Sequence, residues 1–266
     1  MTKRILFYAP SGPYAAAAKA GFRSGTVGTH TSRTMMLAEL SSALAAVPAS
    51  GVRQDYANSV VEANCLGKPT TSTRRLTLQR LSELYAFDPE VPIFRVLRRL
   101  WDLDSAGHPL IALLAALARD PLLMATAPVI LSLPEGAEMP RSSMKDALRS
   151  AVGERLNDAT LDKAIRNAAS SWSQSGHMVG RTFKTRRRVL PTPVAVAFGL
   201  YLGDAAGFRG EELVASGWMK ALDCTPSQAL NLALEAKRLG ILDLRVADVF
   251  DLNLDRLDPR SNRGAR

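Results

Sequence analysis

Apolar residues recur at helical spacing along most of this chain, and prolines and glycines interrupt the pattern at short intervals. Met36, Leu40 and Leu44 share one face of a helix that we expect to begin near Thr31 and to end before Pro48. A chain with this periodicity builds its core from packed amphipathic helices. We therefore predict a mainly α fold, multi-helical, in which helix-turn-helix and winged-helix units carry small β-hairpins.

Charge and composition limit the classes of function. The 266 residues include 34 Lys and Arg against 25 Asp and Glu, a net charge of +9 that favours a polyanionic partner. A hydrophobic content of 47% is enough to bury cores, which argues against a disordered basic tail. Two cysteines and three histidines provide neither a disulfide framework nor a zinc cluster, and they nominate no catalytic residue. We predict a protein without enzymatic activity, cofactor or metal.

Composition also divides the chain. A Gly-rich and Ala-rich start, a Pro-containing linker at 134–140 and shifts in charge mark the boundaries. We predict an N-terminal arm at 1–30, a helical domain with a helix-turn-helix at 31–137, a basic winged-helix unit at 138–194, an acidic winged-helix unit at 195–258 and a basic tail at 259–266. The hydroxyl of Thr29, Thr31 or Ser32 is expected to cap the helix that follows the arm.

The helix-turn-helix is expected within 52–84. Apolar residues at helical spacing predict one helix at 52–64, the turn 65–69 contains glycine and proline, and hydroxyls from Thr70 onward can cap a second helix. No acidic residue lies between Glu62 and Glu83, whereas several cationic residues do. A basic helix of this kind can contact DNA phosphates or base edges, and a solvated basic face is the alternative.

The segment 141–193 has the order of a winged helix-turn-helix. We predict a helix from about Ser142 to Val152, a second helix at 159–174 capped by Asn157 or Asp158, and two short strands, 177–179 and 189–190, around GRTFKTRRR. Residues 141–210 hold 12 Lys and Arg against 5 Asp and Glu, so the positive charge concentrates in this unit. Long cationic side chains at a hairpin tip can reach phosphates or a minor groove.

Across both units, the side chains predicted to contact DNA are cationic or carry a hydroxyl: Lys68, Thr73, Arg74, Arg75, Arg80, Lys163, Arg166, Arg181, Lys184, Arg186, Arg187 and Arg188.

The last third predicts a second winged unit of opposite charge. Thr225 should cap a helix, and two alternating strands, 241–245 and 249–254, should flank a turn containing Asp248. Residues 211–258 hold 9 Asp and Glu against 5 Lys and Arg, which opposes entry into a DNA groove. We predict a docking or structural role, with Trp218 and Phe250 packed inside the chain rather than anchoring a partner. DNA contact through the helix that Thr225 caps remains the alternative.

No segment is expected to enter a membrane. The most apolar region, 109–134, is interrupted by Arg119, Asp120 and two prolines, whereas a span needs about 20 apolar residues. Pro10 and Pro13 likewise cut short the apolar stretch that would form a signal peptide. These breaks favour a cytoplasmic protein.

In residues 36–84, AEL opens a helix, VVEAN closes the next, and TTSTRRLTLQRLSEL forms the helix after it. This stretch resembles the BrxA family of bacterial BREX phage-exclusion systems. The resemblance implies a small, non-enzymatic DNA-binding component that works beside the methyltransferase, ATPase and phosphatase-like proteins of such a system.

We therefore predict a non-catalytic protein that binds double-stranded DNA and contacts other proteins of a phage-defence system. A helix-turn-helix transcription regulator and an RNA-binding factor share the basic surface and stay open as alternatives. A protein-protein adaptor that binds no nucleic acid is a third.

Overall fold

The computed structural model describes residues 5–10, 14–246 and 250–260, and this part of the chain is mainly helical. Its thirteen α-helices are α1 Tyr14–Ala20, α2 Leu37–Ala46, α3 Arg53–Ala57, α4 Thr71–Tyr85, α5 Pro92–Trp101, α6 His108–Arg119, α7 Pro121–Leu131, α8 Arg141–Val152, α9 Asp158–Gln174, α10 Pro193–Ala205, α11 Glu212–Ala215, α12 Gly217–Lys220 and α13 Pro226–Arg238. Two antiparallel hairpins pair β1 Met178–Val179 with β2 Thr185–Arg186, and β3 Asp243–Val246 with β4 Phe250–Asn253. The prediction of a mainly helical chain with small hairpins is confirmed.

Side-chain caps fix the starts of five of the described helices, and the sequence predicted three of these caps. The Thr70 hydroxyl accepts a hydrogen bond from a first-turn amide of α4, and the Asn157 side chain does the same for α9. Thr225 and Gln228 form a reciprocal capping box on α13. These caps satisfy amides that have no partner within the helix, so the predicted starts of these helices are confirmed.

The start of α2 differs from its prediction. The helix begins at Leu37 rather than near Thr31, and no side chain caps it. Met36 takes a left-handed conformation at φ 56°. A 3-10 turn, Thr29–Thr31, comes first, and residues 32–36 after it are not helical; there the Met35 amide donates to Ser171 of α9. Among the residues expected to cap α2, Thr29 donates to the carboxylate of Glu83 at 2.8 Å.

One continuous cluster of buried apolar side chains extends from Phe7 to Leu257. Helix α10 lies near its centre and packs against α5, α6, α12 and α13, and α6 is buried along most of its length. The predicted segments therefore share a core, and their boundaries stay predictions.

The N-terminal residues are part of this core. Phe7 and Phe22 pack edge-on against Trp218 at ring distances of 5.1 and 5.6 Å, and the Trp218 indole donates to the Phe7 carbonyl at 2.9 Å. Trp218 is fully buried, so the prediction that it lies inside the chain is confirmed; Phe250 is partly buried and packs against the core. Apolar side chains in the described part of 1–30 thus pack against the body, and the assignment of 1–30 as an arm stays a prediction.

Helix α3 continues into a π-helical turn, Asn58–Glu62, before the turn that leads to α4. The expected order of helix, turn and helix is present, and its role in DNA binding stays a prediction. Of the helices in the described ranges, none combines the length and apolar character that a membrane span requires. Asp248 and the predicted tail after Arg260 lie outside the described residues.

Candidate nucleic-acid interface

Helices α7, α8 and α9 pack together, and the first hairpin follows α9 directly. In this hairpin Met178 lies opposite Arg186 and Val179 opposite Thr185. The segment before α8 adds a third short extended piece, because Glu138 forms a bridge with Thr185. Helix α9 and the hairpin are thus held as one unit.

The solvent face of α9 carries two free cations. Ala159, Lys163 and Arg166 are exposed at a spacing of four and three residues, so they follow one face of the helix. Neither Lys163 nor Arg166 forms a hydrogen bond or an ion pair with another described residue. A small residue beside two free cations allows a phosphate or a base edge to approach this face.

The acidic residues of α9 are paired with α8. Arg149 contacts Asp158 at 2.6 Å, and Arg141 contacts Asp162 at 3.0 Å. Both carboxylates are therefore engaged by α8, and neither forms an ion pair with Lys163 or Arg166.

The loop and edge of the first hairpin present more cationic side chains to solvent. Arg181, Arg187 and Arg188 are exposed, and Phe183 near the tip is 70% exposed. An exposed aromatic ring between cations is the arrangement that architectural DNA-binding proteins insert between base steps. Lys184 is half-buried, and its Nζ donates to the Ser173 hydroxyl of α9 at 2.8 Å, which ties the hairpin to the helix.

Arg186, which was predicted to contact DNA, is buried. The second strand is Thr185–Arg186 rather than 189–190, and this register turns Arg186 toward the core, where its side chain is 2% exposed. Its guanidinium donates to Asp223 and to backbone carbonyls that include that of Ile130, at 3.1 Å. A buried arginine with these partners cannot reach a phosphate, so the prediction of DNA contact by Arg186 is wrong.

The predicted basic face of α4 is largely paired within the chain. Lys68 contacts Glu39 at 3.0 Å, and the Arg74 guanidinium donates to the carbonyls of Lys68 and Val61, each at 3.1 Å. These bonds hold the turn between α3 and α4, so they give Lys68 and Arg74 a structural use.

Of the other predicted DNA contacts on α4, two have partners within the chain and one is free. Arg80 contacts Glu83 at 2.8 Å, and the Thr73 hydroxyl contacts that of Thr70 at 2.9 Å. Arg75 alone among the five α4-side residues is exposed without such a partner. The α4 residues therefore form no continuous free surface with α9.

Buried polar groups reveal a cluster that the sequence analysis missed. His30 Nδ1 lies 2.8 Å from Asp120 Oδ2, and His30 Nε2 lies 2.8 Å from Ser171 Oγ. The order matches a hydrolase triad, but all three side chains are buried, and the Ser171 hydroxyl also donates to the Asn167 carbonyl. No substrate has access to this serine.

The same cluster fixes the N-terminal segment to two helices. Burial favours a raised pKa for Asp120, but the His30 imidazole and amide hydrogen bonds outweigh burial and lower the pKa below its usual value. The amide of Met35 donates to Ser171 Oγ at 2.8 Å. Because Asp120 also caps α7, the cluster joins α7, α9 and the segment before α2.

His177 begins the first hairpin and is also buried. Its ring contacts the Ser175 hydroxyl at 2.9 Å and the Ala221 carbonyl at 3.0 Å. Burial lowers the pKa of His177 to about 4, so the ring is neutral at neutral pH. This histidine packs the hairpin against the residues before α13 and is not available to a phosphate.

The second hairpin is exposed on its charged edge. Arg245 lies opposite Asp251, so these two charges are neighbours across the strands. On α13, Gln228 serves the capping box, whereas Asn231, Lys237 and Arg238 are exposed.

No protein-family model matches this chain, and no curated protein matches it. Among the described residues, no group of three or more His, Cys, Asp or Glu side chains is placed to hold a metal ion.

Proposed function

We propose that α8, α9 and the first hairpin form a winged helix-turn-helix module that binds double-stranded DNA. Helix α9 is the element for the major groove, and the hairpin is the wing that lies along the phosphates or in the adjacent minor groove. The observation that carries this proposal is the pair of free cations, Lys163 and Arg166, on the solvent face of α9 beside an exposed cationic hairpin.

The short extended segment at Glu138 supports the winged-helix assignment. The order α7, extended segment, α8, α9, β1 and β2 is the order of secondary structure in that class of domain. The proposed contacts to phosphates come from Arg181, Arg187 and Arg188, while Lys163 and Arg166 reach phosphates or base edges.

The experiment is a fluorescence-anisotropy titration of duplex DNA with the full chain at low and at physiological salt. Several neutralised phosphates make the affinity fall steeply as salt rises. The variant Lys163→Gln/Arg166→Gln should weaken binding by about tenfold or more, because two charge-assisted contacts are lost. Arg245→Gln is the matched control, since this exposed arginine lies on the second hairpin. Absence of binding by the wild-type chain at low salt would remove the proposal.

We further propose that this module serves a BREX-like phage-defence system, without catalysis of its own. The support is the resemblance of residues 36–84 to the BrxA family. Co-purification with methyltransferase or phosphatase-like proteins of such a system, together with loss of phage resistance on deletion, is the expected result. A transcription regulator would instead bind a palindromic site as a dimer.

One observation favours a second candidate, a protein-docking hairpin. Phe183 is 70% exposed and Leu190 is 90% exposed. Exposed apolar side chains therefore lie in the same segment as the exposed arginines, and exposed apolar surface can mark a protein-binding site. An adaptor of this kind would lose its protein partner on Phe183→Ala/Leu190→Ala substitution and would show no DNA binding at low salt.

A further inference from the structure

A second cationic feature lies away from α9. Residues from α3, α4, the end of α6 and the segment after α1 line an open cleft of about 910 Å³. Four arginines line it, Arg23, Arg53, Arg75 and Arg119, against a single carboxylate, that of Glu83. The cleft therefore has a large excess of positive charge.

Two of these arginines form the recessed part of the cleft. Arg119 donates from Nε to the Glu83 carbonyl at 3.1 Å and from Nη2 to the Ser82 carbonyl at 3.3 Å. Arg23 donates to the same Glu83 carbonyl at 3.1 Å. Carbonyls at the last turn of α4 orient both guanidiniums without neutralising them.

The two recessed cations are close enough to repel each other. Burial, followed by the positive charge of Arg23, lowers the pKa of Arg119 to about 10, which leaves it protonated at neutral pH. An anion bound between them would relieve this repulsion.

The nearby carboxylate is already engaged. Glu83 accepts hydrogen bonds from Arg80 at 2.8 Å, from Thr29 at 2.8 Å and from Gln79 at 3.1 Å. The Glu83 carboxylate is thus hydrogen-bonded to side chains of α4 and of the segment before α2. Each nitrogen of the Arg119 guanidinium already donates to a backbone carbonyl, Nη1 to that of Gly21, but a carbonyl carries no formal charge and leaves the cation without a counter-ion.

The rim of the cleft adds free donors. Arg53 and Arg75 are exposed, and neither forms a hydrogen bond or ion pair with another described residue. A guanidinium presents several donors in a planar fork that matches the oxygen atoms of a phosphate group.

We propose that this cleft binds a small anion that carries several phosphate groups, such as the phosphate chain of a nucleotide. Arg119 and Arg23 contact it from the recessed side, and Arg53 and Arg75 close on it from the rim. The cleft has the size of sites that hold ligands of nucleotide size, whereas a duplex presents its phosphates on a convex surface. This site is independent of the DNA-binding module proposed above.

Isothermal titration calorimetry of the full chain with inorganic triphosphate at low salt tests the site. The wild-type chain should bind, and Arg53→Gln/Arg75→Gln should weaken the affinity by at least about tenfold, because two charge-assisted contacts are lost. Both arginines are exposed and unpaired, so thermal melting of the variant should match the wild type; Arg75→Glu is the second variant if it does not. Adenosine triphosphate should bind more tightly than adenosine monophosphate if the phosphate chain is the recognised group.

The matched control is Lys163→Gln/Arg166→Gln, which should keep the triphosphate affinity. Absence of triphosphate binding by the wild type, or equal affinity in Arg53→Gln/Arg75→Gln, overturns the site. Another outcome is that Arg53→Gln/Arg75→Gln has a lower affinity for duplex DNA and that triphosphate binds neither the wild type nor this variant. In that case the cleft contacts DNA and the small-anion proposal is wrong. If Lys163→Gln/Arg166→Gln keeps its affinity for both triphosphate and duplex DNA, only the proposal of the DNA-binding module is contradicted. The two proposals can therefore fail separately.

Discussion

The Arg186 guanidinium donates a hydrogen bond to the Asp223 carboxylate, and this ion pair joins the first hairpin to the turn between α12 and α13. The second carboxylate oxygen of Asp223 accepts from the Val189 amide at 2.9 Å, so the acid holds the chain on both sides of the strand end. The most basic segment of the sequence thus contributes one of its arginines to the contact between the two hairpin-bearing regions.

Removal of one partner of this pair should destabilise the protein. Asp223→Asn leaves the Arg186 charge buried without its counter-ion, and loss of one member of a buried pair costs about 3–5 kcal/mol. Urea denaturation should show a lower unfolding free energy, whereas the exposed Arg188→Gln should leave it unchanged. Equal stability of Asp223→Asn and the wild type would show that the backbone carbonyls alone satisfy Arg186.

The exposed hairpin arginines should act on affinity rather than on stability. We expect the triple variant Arg181→Gln/Arg187→Gln/Arg188→Gln to keep the melting temperature and to reduce the salt slope of duplex binding by about three units, one for each phosphate contact. Measurement of affinity over a series of salt concentrations provides the slope. An unchanged slope would mean that these arginines are only solvated.

Phe183 should contribute without a change in the salt slope. Its ring is 70% exposed near the hairpin tip, and insertion between base steps involves no counterion release. Phe183→Ala should weaken duplex binding several-fold with the same slope as the wild type, and the β1 variant Val179→Ala should have little effect. If Phe183→Ala leaves the DNA affinity intact, the exposed ring serves a protein partner instead.

His177 should make stability depend on pH. The folded pKa of about 4 lies below the unfolded value of about 6.5, so the unfolded state binds more protons between these values. The unfolding free energy should therefore be highest above pH 6.5 and should fall by up to about 3 kcal/mol as the pH decreases to 4. His177→Gln should reduce this fall, and His108→Gln should retain it. A wild-type unfolding free energy that is flat from pH 6.5 to 4 would contradict the assignment.

The triad-like cluster should be structural. Ser171→Ala removes the acceptor of the Met35 amide and the partner of His30, and we expect a loss of about 1–3 kcal/mol in unfolding free energy. A fluorophosphonate probe should leave the native protein unlabelled because Ser171 is buried. The exposed Ser142→Ala on α8 is the stability control. Stoichiometric labelling at Ser171 would show that the site opens to solvent.

Local signals in the sequence predict the helices well and the contacts between them poorly. Caps such as Thr70, Asn157 and Thr225 act within a few residues, so their helices begin where the sequence indicates. Strand β2 has only two residues and is set by pairing with Met178, which provides little local pattern for its register.

The site shows the same division. Lys163 and Arg166 are exposed on α9 because helical spacing alone decides their face. The burial of Arg186 depends on an acid 37 residues away, and the His30 contacts span 90 residues to Asp120 and 141 to Ser171. No spacing rule connects residues at such separations, so these contacts could not be predicted from one sequence.

The contact between Phe7 and Trp218 has a consequence for biosynthesis. The indole hydrogen bond joins residues 211 positions apart, and the rings of Phe7 and Phe22 are buried only when the C-terminal third is in place. Contacts of this range slow folding because a long loop must close before they form. During translation the aromatic side chains near the start of the chain therefore stay exposed to solvent until Trp218 has emerged from the ribosome. In that interval the nascent chain has most need of a chaperone, because exposed apolar surface promotes aggregation.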